Sequence, residues 1–394
     1  MKQYRFINNI TGWLVFAIAA FTYLMTIEPT ASLWDCGEFI ASSYKLEIGH
    51  PPGSQVFMIL ARFFTLFAGG NETRVAAMVN AMSALASAFT ILFLFWTITH
   101  LARKILIKDE NQFNVTRIAA IMCAGVVGSL AYTFSDSFWF SAVEGEVYAT
   151  SSLFTAAVFW AVLKWEDNAD SKHADKWIIL IAYLMGLSIG VHLLNLLALP
   201  AIGLVYYFKK FDFSWKGFLV SIAVSFLILA LLIWGIIPGL VKISSRFDLF
   251  FVNTLKLPHN SGMLVHFIIM AVLFVIAVRM TLNSENKIRN TVFALGALFL
   301  TGIWVVGSGF LNILVLIALA AFLWYVAGKN RILLNTVLTA VMVILIGYSS
   351  TAIILIRASA NPPLNENNPR DPFSLLYYIN REQYGDRPLF YGPY

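Results

Sequence analysis

The sequence predicts an all-α, polytopic membrane protein, and three observations carry that prediction. Apolar runs of membrane-spanning length recur along the whole chain. Charged residues make up only 12% of it against 59% hydrophobic, far from the balance of a soluble domain. The lysines and arginines gather in short stretches between the apolar runs. That distribution orients membrane helices, and no nucleic-acid partner is expected from it. Cys36 lies beside Asp35 and Cys123 lies inside an apolar run, so neither a disulfide framework nor a metal cluster is indicated.

Taken in order, the first apolar run, 11–27, follows Lys2 and Arg5 and lacks a small-residue cleavage pattern. It is expected to be an uncleaved helix with the N-terminus in the cytoplasm. A large external loop, about 28–75, follows. Within it the apolar run 56–68 contains Arg62 and, at ~1.5 Å per residue, reaches about 20 Å, short of a ~30 Å hydrocarbon core. It is expected to lie at the interface. Further spans are expected at 76–101, 118–134, 147–163, 177–190, 196–208, 218–237, 264–280, 292–306, 311–327 and 333–356, about eleven with the first. The junctions 191–195 and 307–310 leave open whether each pair is one kinked helix or two spans. Alternating the sides puts Lys164, Lys172, Lys209, Lys210, Arg279, Lys287 and Arg331 in the cytoplasm, with Lys242, Arg246, Lys256 and Arg357 outside. External loops are expected at 135–146, at the His192 turn and at 238–262. The membrane domain is thus 1–356, followed by an external tail, 357–394, rich in Pro and Asn. The tail stops abruptly at Tyr391-Gly392-Pro393-Tyr394, and a further external soluble domain is expected beyond it.

Chemistry is concentrated between Trp34 and Ser54. Asp35, Glu38, Glu47 and His50 sit there in an otherwise apolar chain, where lipid-facing sequence would tolerate none of them. Asp35 and Glu38 are three apart, so on a helix they share a face and present two carboxylates to one cavity at the membrane surface. The alternative is that Asp35 caps a short helix, with Glu38 completing a capping box. Glu47 reads as a solvated or structural charge. In His50-Pro51-Pro52-Gly53 the prolines force a stiff corner, which either aims His50 at the site or only starts the helix after Ser54.

A second acidic group, Glu144-Gly145-Glu146-Val147-Tyr148, falls on the same expected side. One of Glu144 and Glu146 is expected in the site, against the alternative that either caps the helix from Val147. His192 and Asn195 stand at a helix end, where a substrate contact competes with an ordinary packed polar pair. A phosphate leaving an anomeric carbon gains charge that cations must stabilise. Arg246, Lys256, His259 and Arg357 are the external candidates, Arg357 first and Arg246 with it, against the alternative of a snorkelling anchor. No Gly-rich phosphate loop, zinc spacing or nucleophile elbow is present, so a soluble nucleotide-sugar enzyme is not indicated.

Trp34-Asp35-Cys36-Gly37-Glu38-Phe39, the Gly49-His50-Pro51-Pro52-Gly53-Ser54 turn, Glu144 to Tyr148, and Gly186-Leu187-Ser188 through His192 together resemble one family. It is the protein O-mannosyltransferase-like family of the GT-C superfamily, which includes the eukaryotic enzyme that mannosylates plexin-type receptor domains and its bacterial homologues. The resemblance covers the whole chain, including the 361–391 tail. It implies a GT-C fold, an acidic base in the first external loop and a polyprenyl- or dolichyl-phosphate sugar as donor. The superfamily habit of placing the base early in that loop maps it onto Asp35, with Glu38 as competitor. The DXD triplet of some GT-C enzymes is missing, so no cofactor is assigned and a divalent metal is not supported.

The expected activity is inverting transfer of a sugar, mannose first, from the lipid phosphate to Ser or Thr hydroxyls of a protein acceptor on the external face. Alternatives are a lipid-linked sugar flippase or transporter, and a membrane scaffold that has lost activity. A transporter would place charge near the midplane, whereas here the acidic residues cluster at one surface. The expected address is a bacterial inner membrane with the site facing the periplasm, or the endoplasmic reticulum lumen if the chain is eukaryotic.

Overall fold

The computed structural model describes residues 2–385 and Gly392; Tyr391, Pro393 and Tyr394, on which the expectation of a further domain rested, lie outside the described residues. Helices make up the architecture, and the only β pairing among the described residues is an isolated bridge between Ile48 and Asn365. Nine helices are long and apolar enough to cross a membrane among those residues, so the chain is a multi-pass integral membrane protein. Two of the expected spans, 177–190 and 292–306, are not among the nine. The helices Asp175–Ile189 and Lys287–Leu300 have 15 and 14 residues, which at ~1.5 Å each gives about 22 Å, less than a hydrocarbon core.

The chain forms two compact units, divided as the described residues up to Glu47 with Ser54–Ala198 and Phe208–Lys210, and Ile48–Gly53 with Leu199–Tyr207 and the described residues from Phe211 onward. The first holds α1 (Lys2–Met25), α2 (Cys36–Lys45), α3 (Gln55–Thr65), α4 (Val75–Leu106), α5 (Val115–Thr133), α6 (Asp136–Ala142), α7 (Val147–Asn168) and α8 (Asp175–Ile189). Its axis is α4, against which α1, α3, α5 and α7 all pack. Small residues on α4, Ala84 and Ala88, let these neighbours approach, and Ile91 and Phe95 fill the space between them. Tyr23 of α1 is fully buried there and donates to the Thr133 carbonyl at 2.9 Å. α3 is the short apolar helix expected at the interface, and among the described residues it stays below spanning length. Its Arg62 folds back to donate to the Tyr44 carbonyl at the end of α2.

The second unit contains most of α9 (Leu199–Lys210), then α10 (Trp215–Ala230), α11 (Ile237–Asn253), α12 (Ser261–Asn283), α13 (Lys287–Leu300), α14 (Gly309–Lys329), α15 (Arg331–Tyr348), α16 (Ala352–Ser359) and α17 (Pro372–Ile379). The expected external loop 238–262 is mostly helix. α10 runs through one π-helical stretch, Leu231–Ile236, directly into α11. Pro238 misled the sequence reading, because in the first turn of a helix its missing N–H and fixed φ do no harm. α11 is clamped to its neighbours by buried polar contacts. His266 of α12 bonds Ser244 Oγ at 2.8 Å and the Leu300 carbonyl at 2.9 Å, and Asp248 accepts the Gly262 N–H at 3.1 Å. A Cβ on Gly239 would lie 2.2 Å from the Gly302 carbonyl oxygen, so that crossing requires glycine.

The tail from Arg357 is ordered around this unit. Asp371 forms a full capping box with Ser374 and starts α17, whose Tyr378 is buried with Ile48, Val241 and Ile354. Tyr378 Oη donates to the carbonyls of Gly49, at 2.7 Å, and His50, at 3.2 Å.

Candidate active site

The acidic site is assembled in the first unit, at the N-terminal end of α2. Asp35 occupies the N-cap position and its backbone carbonyl accepts the Phe39 N–H at 2.9 Å, but its side chain makes no capping bond. Its carboxylate is therefore not spent on the helix, which removes the capping alternative. The residue before it, Trp34, is 86% exposed and holds φ +59°, a left-handed conformation that costs a bulky residue about 1–3 kcal/mol and recurs at functional turns. Phe39 and Ile40 anchor the opposite face of α2 on Phe57, Val79 and Val147. With that face fixed, Asp35 and Glu38 point away from the core, and their carboxylate oxygens lie within 4.8 Å of each other.

The segment 143–148 is brought against the same helix end. Val143 accepts the Glu28 N–H at 3.0 Å, and Asn80 of α4 donates to the carbonyls of Glu28 and Thr30, tying the start of the long loop to α4. Gly145 passes so close to α2 and α4 that a Cβ would meet Asn80 Oδ1 and Ile40 Cγ1 at 3.0 Å. This passage buries Glu144, 3% exposed, and Glu146, 6% exposed. Glu144 Oε2 accepts the Cys36 thiol at 3.5 Å. Burial first, and the Glu144 charge second, push that thiol from 9.0 up to about 12, so at neutral pH it is a donor and not a nucleophile. Glu146 stands at the N-cap of α7 without a side-chain capping bond, a position where its charge also favours the positive end of the helix dipole.

His192 lies beside the start of α7, its ring 5.8 Å from that of Tyr148, and its Nδ1 accepts the Leu194 N–H at 3.2 Å. Asn195 Oδ1 accepts Ser151 Oγ at 2.6 Å and Thr155 Oγ1 at 3.0 Å, the packed polar contact that was the alternative to binding.

The remaining candidates belong to the second unit. His50 sits in the corner whose carbonyls Tyr378 holds. Arg246 lines a cavity of about 540 Å³ together with Lys242, one turn earlier on α11, and the apolar Leu249, Trp304 and Phe373. Arg357 is half-buried on α16 and is not among the residues lining that cavity. Sequence reasoning singled out neither Cys36 nor Lys242. The signal for Lys242 was its four-residue spacing from Arg246, legible only once 237–253 is known to be helical. Cys36 and Glu144 are separated by 108 positions, and nothing local announces their contact.

Comparison with known proteins places the acidic site inside a shared segment. Residues 35–215 match the family described as the Protein O-mannosyl-transferase TMEM260 N-terminal domain. The protein O-mannosyl-transferase TMEM260 of Mus musculus is 28% identical over 176 residues, 44% of this chain and 22% of that protein. Its Dictyostelium discoideum counterpart is 25% identical over 187 residues, 46% of this chain and 21% of that protein. The matched region thus spans about a fifth of the length of these relatives. No solved structure matches the chain significantly. The O-mannosyltransferase-like resemblance is borne out over the TMEM260-type segment, which begins at Asp35 and includes Glu38, His50, Glu144, Glu146 and His192. Arg246 and Arg357 fall after its end.

Proposed function

We propose that this chain is a protein O-mannosyltransferase of the GT-C type, moving mannose from a polyprenyl- or dolichyl-phosphate donor to Ser or Thr hydroxyls of proteins outside the membrane. The observation that carries the proposal is the uncapped Asp35 carboxylate, held beside Glu38 and next to the buried Glu144 in the segment shared with proteins named O-mannosyl-transferases. Asp35 takes the proton of the acceptor hydroxyl. The freed oxygen forms a bond to the anomeric carbon, the bond from that carbon to the lipid phosphate breaks, and the phosphate leaves with the electron pair. Attack opposite the leaving group inverts the anomeric centre. Glu38 is the competing base. Glu144, Glu146 and His192 serve acceptor or sugar hydroxyls, and His50 belongs to the same set as the residue its corner presents.

Charge on the departing phosphate is met by cations. Arg246 and Lys242 supply two, one turn apart and beside apolar walls suited to an isoprenoid. Arg357 is the further candidate. With no DXD triplet in the sequence, no resident metal is assigned; Asp35 and Glu38, with carboxylate oxygens within 4.8 Å, are the residues that would hold a divalent ion, the alternative that EDTA tests.

The experiment is transfer of radiolabelled mannose from polyprenyl-phosphate-mannose to receptor-domain or periplasmic acceptors, wild type beside Asp35→Asn, with and without EDTA. Label on protein that disappears in Asp35→Asn and survives EDTA is expected. Full activity in the variant sinks the base assignment, and loss with EDTA in the wild type sinks the metal-free reading.

A further inference from the structure

A second cavity, in the first unit, lies far from Asp35. It has a volume of about 580 Å³ and lies where α1, α4 and α7 meet, around His100. α4 reaches the acidic site at Asn80, so twenty residues, or about 30 Å at ~1.5 Å each, separate the two ends. The proposed transfer reaction uses nothing at this end.

Its lining is cationic and aromatic together. Arg5, Arg103 and Lys164 line it, and Arg103 engages the one carboxylate of the lining, Asp167, at 2.9 Å. Lys164 has no carboxylate within 4 Å among the described residues, and its ammonium stands 5.4 Å from the centre of the Trp160 ring. His100 is 8% exposed, and its Nε2 has no hydrogen-bond partner, with Glu166 Oε2 nearest at 3.6 Å. Its Nδ1 stands 3.6 Å from Asp167 Oδ2, also beyond hydrogen-bond length. A buried polar atom left without a hydrogen bond, beside a lysine with no carboxylate in reach, is costly in a protein interior unless a ligand supplies the acceptor.

From this polar chamber the wall continues as a run of aromatic rings. Trp96 and Trp160 lie 6.0 Å apart, Trp96 meets Trp13 at 6.3 Å, and Phe89 meets Phe16 at 4.6 Å, two turns further along α4. Trp13 is 49% exposed, so the run opens to the membrane side of the bundle. A free phosphate compound would use the cations and have no use for the rings. A lipid uses both, because its headgroup sits at the helix ends while its chain follows the helices into the hydrocarbon.

We propose that this cavity binds the phosphate-bearing headgroup of an anionic phospholipid, with Lys164 as its principal contact, Arg103 and Arg5 beside it, and the acyl chain along Trp96 and Trp13. The test is native mass spectrometry of the full chain, exchanged into detergent from bilayers of phosphatidylcholine containing phosphatidylglycerol. Wild type is expected to retain phosphatidylglycerol and not phosphatidylcholine. Lys164→Gln is expected to lower retention by about five-fold, the effect of one basic group near a membrane surface, and Lys164→Arg to restore it. Asn9→Asp, an exposed substitution at the mouth, lowers it independently should Lys164→Gln fold poorly, while Lys216→Gln, in the first turn of α10, leaves it unchanged. Equal retention by Lys164→Gln, or an equal loss in Lys216→Gln, overturns the site. Displacement of the lipid by an equal concentration of inorganic phosphate overturns the lipid and leaves a phosphate site in its place.

Discussion

The two ends of the first unit treat carboxylates in opposite ways. At the far end of α4 and α7 each acid is set against a base: Asp167 meets Arg103 at 2.9 Å, and Glu166 meets Lys104. At the near end acid is set beside acid. Asp35 and Glu38 come within 4.8 Å, and the buried Glu144 takes as its partner a neutral thiol in place of a cation. Neutralised pairs at helix ends are what a bundle needs for stability and orientation. Gathered like charges raise the free energy of the fold, and a fold keeps such an arrangement where a reaction uses it.

The largest expected effect breaks that comparison in two. Asp35→Asn keeps shape and removes the base, so transfer is expected to fall by about 10²- to 10⁴-fold with the thermal midpoint unchanged or raised. The same isosteric change at the other end, Glu166→Gln, is expected to leave transfer unchanged. Mannose transfer and a melting curve on both variants decide the matter, and comparable losses of activity would erase the distinction between the two ends.

That distinction was half legible in the sequence. The membrane helices were, because length and apolarity dominate each one, and the carboxylates between Trp34 and Ser54 were, because charge in such a chain is expensive. The helical identity of 237–253 was hidden behind Pro238 and a run of polar residues. Its buried face, Leu240, Val241, Ser244 and Asp248, follows helical spacing but is half polar, so no apolar stripe announced it. The capping question at Asp35 and Glu146 was undecidable from residue types, since an acid at an N-cap looks the same whether or not its oxygen turns back to the backbone. The far cavity was invisible because its lining comes from three segments, and Lys164 and Arg103 looked like ordinary topology signals.

The second effect sharpens the description of the acidic end through Cys36. Its thiol ionises at about 12 because it is buried and because Glu144 is adjacent. Glu144→Gln removes the charge and keeps the packing, so the ionisation is expected to move down toward the ordinary value. Alkylation of Cys36 against pH, in a Cys123→Ser background, reads the shift. The stability linkage has a definite sign. The folded value lies above the unfolded 9.0, so this group's contribution is complete below about pH 9 and is lost as the pH climbs toward 12. Glu144→Gln is therefore expected to raise the alkaline unfolding midpoint, and an unchanged midpoint with an unchanged alkylation profile would mean that Glu144 exerts no field on Cys36.

A smaller effect is expected where charges are neutralised. Glu166 is 16% exposed and Lys104 46%, a half-wet pair of the kind worth up to about 1 kcal/mol. Glu166→Gln should lower stability by no more than that, and Lys104→Gln should match it, with the double variant no worse than either single one. A double variant whose loss equals the sum would show that the two residues do not interact.

The smallest effect belongs to Asp170, in the turn after α7, which Lys209 and Lys210 approach at 3.1 and 3.2 Å. Their bonds and charges hold its carboxyl below the ordinary 3.8. A depressed folded value means that the contribution is present above 3.8 and disappears as the pH falls through the folded value. The side chain is 76% exposed, so solvent and salt screen most of the attraction. Asp170→Asn is accordingly expected to melt only marginally below wild type from about pH 5 to 8, and that small difference is expected to close in acid, where wild type loses its advantage. A clear loss at neutral pH would mean that this exposed triad fixes the turn between α7 and α8, and that neutralised charge in this unit holds structure even where water reaches it.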